Sequence, residues 1–201
     1  MAGLKDYKYK VIKKFFTPEE IILFKSYCKN KLFENTWVTD AQCPFTPIWS
    51  NDPLMNALLE SKLNLVESHC GLKLFKTYSY WRYYAFGSIL KPHRDRPSCE
   101  VSITACIHKT AMWPLVIDDK QYDLEEGDAL LYLGCEISHS RYDYFNGDGL
   151  AQVFLHYVDQ EGPFTHHKND DYLKRTKSAY SEKDQEICDG FRKNSRQIKK
   201  E

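Results

Sequence analysis

A chain of 201 residues is long enough for one domain with a sizeable core, or one domain and a tail. Its 28 Lys and Arg balance 28 Asp and Glu, which argues against a dedicated nucleic-acid or membrane-surface binder. With 42% hydrophobic and 14% aromatic residues it is not a disordered chain, and no run approaches the ~18 apolar residues of a membrane span.

Met1-Ala2-Gly3-Leu4-Lys5-Asp6-Tyr7 has no apolar core behind it, so no signal peptide is expected. The seven cysteines (Cys28, Cys43, Cys70, Cys99, Cys106, Cys135, Cys188) are odd in number and form no C-x-x-C pair. They read as free thiols in a reducing, cytoplasmic setting. Tyr7 to Phe16 is an edge strand or an extended entry segment. Thr17-Pro18-Glu19-Glu20 is a capping box, with Thr at the cap, Pro in the first helical position and Glu three residues on. Ile21, Ile22, Phe24, Tyr27 and Cys28 then mark one face of a helix. Phe33 to Trp49, with Trp37, Pro44, Phe45 and Pro47, reads as a rim or lid. A second helix starts at Asp52-Pro53, carries Leu54, Leu58, Leu59, Leu63 and Val66 on its core side, and stops at Gly71. Both helices read as structural.

From Leu72 to Tyr84 the chain is rich in Tyr, Trp, Phe and Thr, which favours strand. Further strands are expected at Val101–His108, Leu115–Ile117, Ala129–Leu133 and Leu150–Val158. Turn residues separate them at Asp118-Asp119, Glu126-Gly127-Asp128 and Asn146-Gly147-Asp148-Gly149. Helices followed by short strands with nothing helical between them predict an antiparallel sandwich or barrel with the helices outside. Beyond residue 165 the composition turns polar. Residues 166–201 read as a helical or partly disordered tail, His166-His167 as a surface pair, and residues 1–165 as the folded unit.

The chemistry centres on histidine. His93-Arg94-Asp95 follows Pro92, and residues two apart in an extended chain project to one side. His139 lies just past the apolar strand Ala129–Leu133. Two imidazoles and a carboxylate on a rigid β-frame are the facial ligand set for Fe(II), which leaves the opposite face open. Alone, H-x-D is also the pattern of a surface turn with a salt bridge. A kinase catalytic loop does not fit, since no Leu follows His93-Arg94-Asp95 and no Gly-rich loop or Asp-Phe-Gly is present.

The stretch Tyr84-Ala85-Phe86-Gly87-Ser88-Ile89-Leu90-Lys91-Pro92-His93-Arg94-Asp95 resembles the Tyr–Gly–Leu–H-x-D segment of the 2-oxoglutarate/Fe(II)-dependent dioxygenases, the prolyl-4-hydroxylase-like branch most of all. Gly127-Asp128-Ala129-Leu130-Leu131-Tyr132 looks like the turn and strand before the distal histidine, and Gly134-Cys135-Glu136-Ile137-Ser138-His139 supplies that histidine. Ala151 to Asp159 is similar to the closing strand, so the resemblance runs from about Tyr9 to Phe164. It implies a double-stranded β-helix, a jelly roll, mainly β with flanking helices. It implies Fe(II) on His93, Asp95 and His139, with 2-oxoglutarate as cosubstrate and O2 as oxidant. The implied reaction hydroxylates an unactivated C–H of a peptidyl residue or small metabolite and releases succinate and CO2.

One element of the family pattern is absent. The far carboxylate of 2-oxoglutarate is usually met by an Arg or Lys at the start of the closing strand, where this chain has Gly149-Leu150; no Lys or Arg lies between Tyr142 and Glu161. Arg141 shares parity with His139 and can take a carboxylate with two parallel hydrogen bonds. Arg82, at the parity of Tyr84 in a strongly aromatic strand, is the other candidate, and Tyr84 itself matches a pocket tyrosine. Thr104 and His108 share a parity toward the same cavity. His156 either approaches the metal or packs in the core, and Arg94 and Arg96 either orient Asp95, meet an anionic substrate or are solvated. The aromatics Tyr78, Tyr80, Trp81 and Tyr83 read chiefly as packing against the helices. The alternative function is a jelly-roll metal-binding module that no longer uses 2-oxoglutarate. Partners are a peptide or small molecule, with neither membrane nor nucleic acid expected.

Overall fold

The computed structural model describes residues 3–141, 143–170 and 181–198. The parts of the expected tail at 171–180 and 199–201, and Tyr142, lie outside the described residues. The helices are α1 (Leu4–Tyr7), α2 (Pro18–Glu34), α3 (Pro53–Ser61), α4 (Leu63–Cys70) and α5 (Glu182–Ile198). The strands are β1 (Tyr9–Ile12), β2 (Ile48–Ser50), β3 (Leu74–Tyr84), β4 (Val101–Lys109), β5 (Leu115–Ile117), β6 (Lys120–Tyr122), β7 (Ala129–Leu133), β8 (His139–Ser140) and β9 (Leu150–Asp159).

The strands form a six-stranded sheet in the order β1-β7-β4-β9-β3-β2 and a three-stranded sheet in the order β6-β5-β8. Every pairing is antiparallel. This is the expected mainly β jelly roll with helices outside. Alternation along each strand gives the large sheet two different faces. One face carries Val101, Ile103 and Ala105 of β4, Leu131 of β7 and Val153 and Leu155 of β9, and packs on Phe24, Met55, Leu58 and Val66 of the helices. The other turns Tyr80, Tyr84, Leu130, Tyr132 and Phe154 toward Leu115 and Ile117 of the small sheet. The core is therefore double: one layer between sheet and helices, one between the sheets.

Local chemistry accounts for the elements. The capping box at Thr17 forms, with Glu20 N–H donating to Thr17 Oγ1 and Thr17 N–H to Glu20 Oε2. Asp52 caps α3 by accepting from the amides of Leu54 and Met55. The single helix expected from Asp52 to Gly71 is two helices. The chain turns at Lys62, whose ammonium reaches Glu20 at 2.8 Å and lies 5.5 Å from the Phe15 and Phe16 ring centres. Gly71, at φ +72°, then ends α4 in the left-handed region. Asp118 and Asp119 both take positive φ and close the β5–β6 hairpin. The rim segment contains β2, where Trp49 stacks on Trp81 of β3 at 3.9 Å. Among the described residues no helix is long and apolar enough to cross a membrane.

The start of the expected tail is packed, not solvated. Phe164 is fully buried and His167 is only 3% exposed, so the surface-pair reading fails for His167. α5 docks nearby through Ile187, Cys188 and Phe191 against Cys135, Val158 and Phe164.

Candidate metal centre

His93 and His139 are brought together by backbone. They form an isolated antiparallel bridge: His93 N–H donates to the His139 carbonyl at 3.0 Å and His139 N–H to the His93 carbonyl at 2.9 Å. β8, which carries His139, pairs on its other side with β5, so the distal histidine is held from both edges. The two rings lie 4.3 Å apart. Each is turned the same way by its own chain. His93 Nδ1 meets the Lys91 carbonyl at 2.8 Å, and His139 Nδ1 meets the Ile137 carbonyl at 3.2 Å. A carbonyl only accepts, so both Nδ1 atoms carry the proton and both Nε2 atoms present lone pairs.

Those lone pairs face Asp95. Its Oδ1 is 3.8 Å from His93 Nε2 and 3.5 Å from His139 Nε2, and the three ligand atoms lie within 4.8 Å of one another. Asp95 N–H donates to the Gly134 carbonyl at 2.9 Å. Its Oδ2 accepts from Ser102 Oγ at 3.2 Å. Ser102 in turn receives His156 Nδ1–H at 3.0 Å, which leaves His156 Nε2 buried without a hydrogen bond. Gly134 is required here, because a Cβ in its place would stand 2.6 Å from Asp95 Oδ2.

The electrostatics suit metal binding. Burial alone would raise the Asp95 carboxyl, but His139, His156, His93 and the Tyr132 hydroxyl outweigh it and hold the group below the usual carboxylate range. Burial pushes His139 down, against the pull of the Asp95 carboxylate, and His156 down to about 4. Asp95, Cys99 and His156 make a second grouping of potential ligand atoms. Burial drives the Cys99 thiol up to about 12.

The triad opens onto a narrow cavity lined also by Gln42, Tyr80, Tyr84, Leu90, Thr104, Leu115, Tyr132, Gln152 and Phe154. The two arginines differ sharply in their surroundings. Arg82 is 1% exposed and fully engaged: Nη2 pairs with Asp40 at 2.6 Å, and Nη1 donates to Thr46 Oγ1 at 2.6 Å and the Cys43 carbonyl at 3.3 Å. Arg141 is also buried, but among the described residues no carboxylate lies within ion-pair distance of it. Its Nη2 donates to Gln152 at 2.8 Å, its guanidinium lies over Trp113 at 4.7 Å and Tyr84 at 5.9 Å, and its Nε has no partner. Burial without a close counter-ion lowers even this arginine's pKa.

Tyr84 and Thr104 line the cavity as expected, and the Thr104 hydroxyl has no hydrogen-bond partner. His108 does not join them. The β4–β9 register shifts between Cys106 and His108, and this bulge reverses the parity, so His108 pairs with Glu126 at 2.8 Å instead. Arg96 is not solvated but stacked on Tyr78, 4.6 Å from its ring centre. The sequence reading missed Ser102, Gly134 and Gln152. Ser102 shares parity with Thr104, and Gln152 with His156, so the alternation that found the latter pointed equally to the former.

No protein-family model and no curated protein sequence matches this chain. Solved structures do. A prolyl-4-hydroxylase from Pseudomonas putida is 15% identical, with 76% of this chain and 94% of that one covered, at TM-score 0.60. HygX from Streptomyces hygroscopicus, solved with nickel, 2-oxoglutarate and hygromycin B, is 12% identical over 77% and 84% of the two chains, at TM-score 0.59. A prolyl hydroxylase from Trichoplax adhaerens, in complex with a hypoxia inducible factor peptide fragment, is 11% identical over 79% and 86%, at TM-score 0.60. The chain has the jelly-roll fold of the prolyl hydroxylases and other 2-oxoglutarate-dependent oxygenases.

Proposed function

We propose that the chain is an Fe(II)- and 2-oxoglutarate-dependent dioxygenase that hydroxylates a peptide or a small molecule. One observation carries the reading: two Nε2 lone pairs and one carboxylate converge on a cavity beside a buried arginine with no carboxylate at ion-pair distance among the described residues. The residues fit the missing groups. His93, His139 and Asp95 offer the nitrogen and oxygen donors that suit ferrous iron, and leave a face open. Arg141, held through Gln152 and lying against Tyr84, offers a cation for the far carboxylate of 2-oxoglutarate. It stands in for the absent arginine or lysine of the closing strand.

Bound there, iron and 2-oxoglutarate supply the oxidising chemistry, in which O2 and the keto acid yield succinate, CO2 and one oxygen atom for a substrate C–H bond. The protein's own residues orient and exclude. Ser102 and His156 hold the second oxygen of Asp95, so that Oδ1 alone faces the imidazoles. Thr104 and Tyr84 present hydroxyls to the cavity, and Leu90, Leu115 and Phe154 keep water from its walls. Residues 1–165 carry this whole site, and the chain beyond adds α5. The seven cysteines are buried thiols with no disulfide among them, which supports a reducing, cytoplasmic setting. The structures of similar fold hold a peptide in one case and hygromycin B in another, which supports both substrate classes.

The test is an anaerobic titration of the apo-protein with Fe(II) and then 2-oxoglutarate, followed by visible absorption. A weak charge-transfer band that needs both additions is expected. Iron binding with no band on adding the keto acid would instead support the jelly-roll metal-binding module.

A further inference from the structure

We propose that His166, His167 and Asp184 form a second metal site, which takes zinc(II) and ties α5 to the jelly roll. His166 and His167 lie in one short 3-10 turn (Thr165–His167) just beyond β9, and Asp184 lies in the first turn of α5. The two rings are 4.2 Å apart and both point Nε2 at the same carboxylate. His166 Nε2 lies 3.1 Å from Asp184 Oδ1 and 3.3 Å from Oδ2, and His167 Nε2 lies 3.4 Å from Oδ2. Zinc–nitrogen and zinc–oxygen bonds of about 2.0–2.1 Å in a tetrahedron space neighbouring ligand atoms by roughly 3.3 Å. These distances match that edge.

The surroundings are those of a built site. The Asp184 and His167 side chains are each 3% exposed. Asp170 Oδ2 stands 3.9 Å from His167 Nδ1, adding a second carboxylate to the surroundings of the cluster. His166 is 51% exposed, which gives an entry path and room for water as a fourth ligand. Two imidazoles and one carboxylate are a ligand set that suits zinc. α5 makes an apolar contact through Ile187, Cys188 and Phe191, and a metal joining Asp184 to His166 and His167 adds directly to its docking. That contact reaches Cys135, the neighbour of Gly134, so the clamp braces the loop between the Asp95 anchor and His139. The zinc site does not depend on what the first triad binds.

The test uses the full chain carrying Asp95→Ala, which disables the first triad, titrated with zinc against a chromophoric chelator. One equivalent should bind more tightly than about 1 μM. Adding His166→Ala, a change at a half-exposed position that leaves the fold intact, should weaken that binding at least ~100-fold, and Asp184→Asn should do the same. Zinc should also slow amide exchange in α5, and this protection should vanish with His166→Ala. No zinc bound below about 1 mM, or binding that His166→Ala leaves unchanged, would overturn the proposal.

Discussion

The two faces of the six-stranded sheet are made by the same strands and do opposite work. On the helix side, β4 and β9 place Val101, Ile103, Ala105, Val153 and Leu155, each fully buried and without a polar side-chain atom. One residue over, the same strands place Ser102, Thr104, Gln152 and His156, all at most 2% exposed, between the sheets. Burying apolar surface stabilises at about 25 cal/mol per Å². Burying a hydroxyl, amide or imidazole costs unless each atom finds a partner. Thr104 Oγ1, His156 Nε2 and Arg141 Nε find none. A sheet that keeps unsatisfied groups on one face needs the other face to hold the fold, and here period-two alternation lets one strand do both.

Paired substitutions should break this contrast most visibly. Leu155→Ala on the helix side should cost about 2–5 kcal/mol of unfolding free energy, the usual range for a fully buried leucine. The metal affinity of the molecules that remain folded should be unchanged. Asp95→Ala should do the reverse. Metal affinity should fall further than the roughly 10- to 100-fold that loss of a mere supporting residue costs. Unfolding midpoints of the apo-protein should fall by less than Leu155→Ala lowers them, because the depressed pKa of Asp95 makes its carboxylate only a modest net stabiliser. Denaturant titration and metal competition on both variants check the pair. A large stability loss in Asp95→Ala would make the carboxylate a structural pillar and erase the distinction.

The two arginines sharpen it within the inner face. Arg82→Ala leaves Asp40 without its partner and should cost about 3–5 kcal/mol of stability, the penalty for breaking a buried ion pair. Arg141→Ala breaks no ion pair among the described residues. It should leave stability within about 1 kcal/mol and raise the KM for 2-oxoglutarate roughly 10- to 100-fold. Succinate release against 2-oxoglutarate concentration, beside thermal melts, separates the two effects. A larger KM change in Arg82→Ala would move the anchor to that arginine.

What the sequence made legible follows the same division. The helix-side strands carry unbroken apolar alternation, and β5 and β7 occupy the residues expected of them. Capping chemistry placed the starts of α2 and α3. The triad could be read because His93 and Asp95 sit two apart and the distal histidine follows an apolar strand, while the bridge that joins His93 to His139 is a long-range pairing with no local trace. His108 was misread because a bulge reverses parity without any residue that announces it. Arg82's role was hidden because its carboxylate lies 42 residues away in a segment with no periodicity. His167 looked like a surface residue because the helix that covers it is polar in composition.

Glu100 gives the smallest effect and tests the rule outside the site. It precedes β4, is 9% exposed, and accepts the Asp159 N–H at 2.8 Å. Burial is the main cause that lifts its carboxyl to about 7; the Asp159 carboxylate adds to this, while the Asp159 amide and Lys5 oppose it. The folded state therefore holds a proton that the unfolded chain, near pH 4.5, releases more readily. That contribution to stability is complete below the unfolded pKa and is lost as pH rises through about 7. Between about pH 5 and 7 the loss should be about 1–2 kcal/mol. Glu100→Gln keeps an acceptor for the Asp159 amide and removes the charge, so its stability should be flat across that window where the parent's falls. Denaturant midpoints at several pH values distinguish the two. A parallel decline in both proteins would place the titrating group elsewhere, and would mean that burying the Glu100 carboxylate ahead of β4 carries no cost.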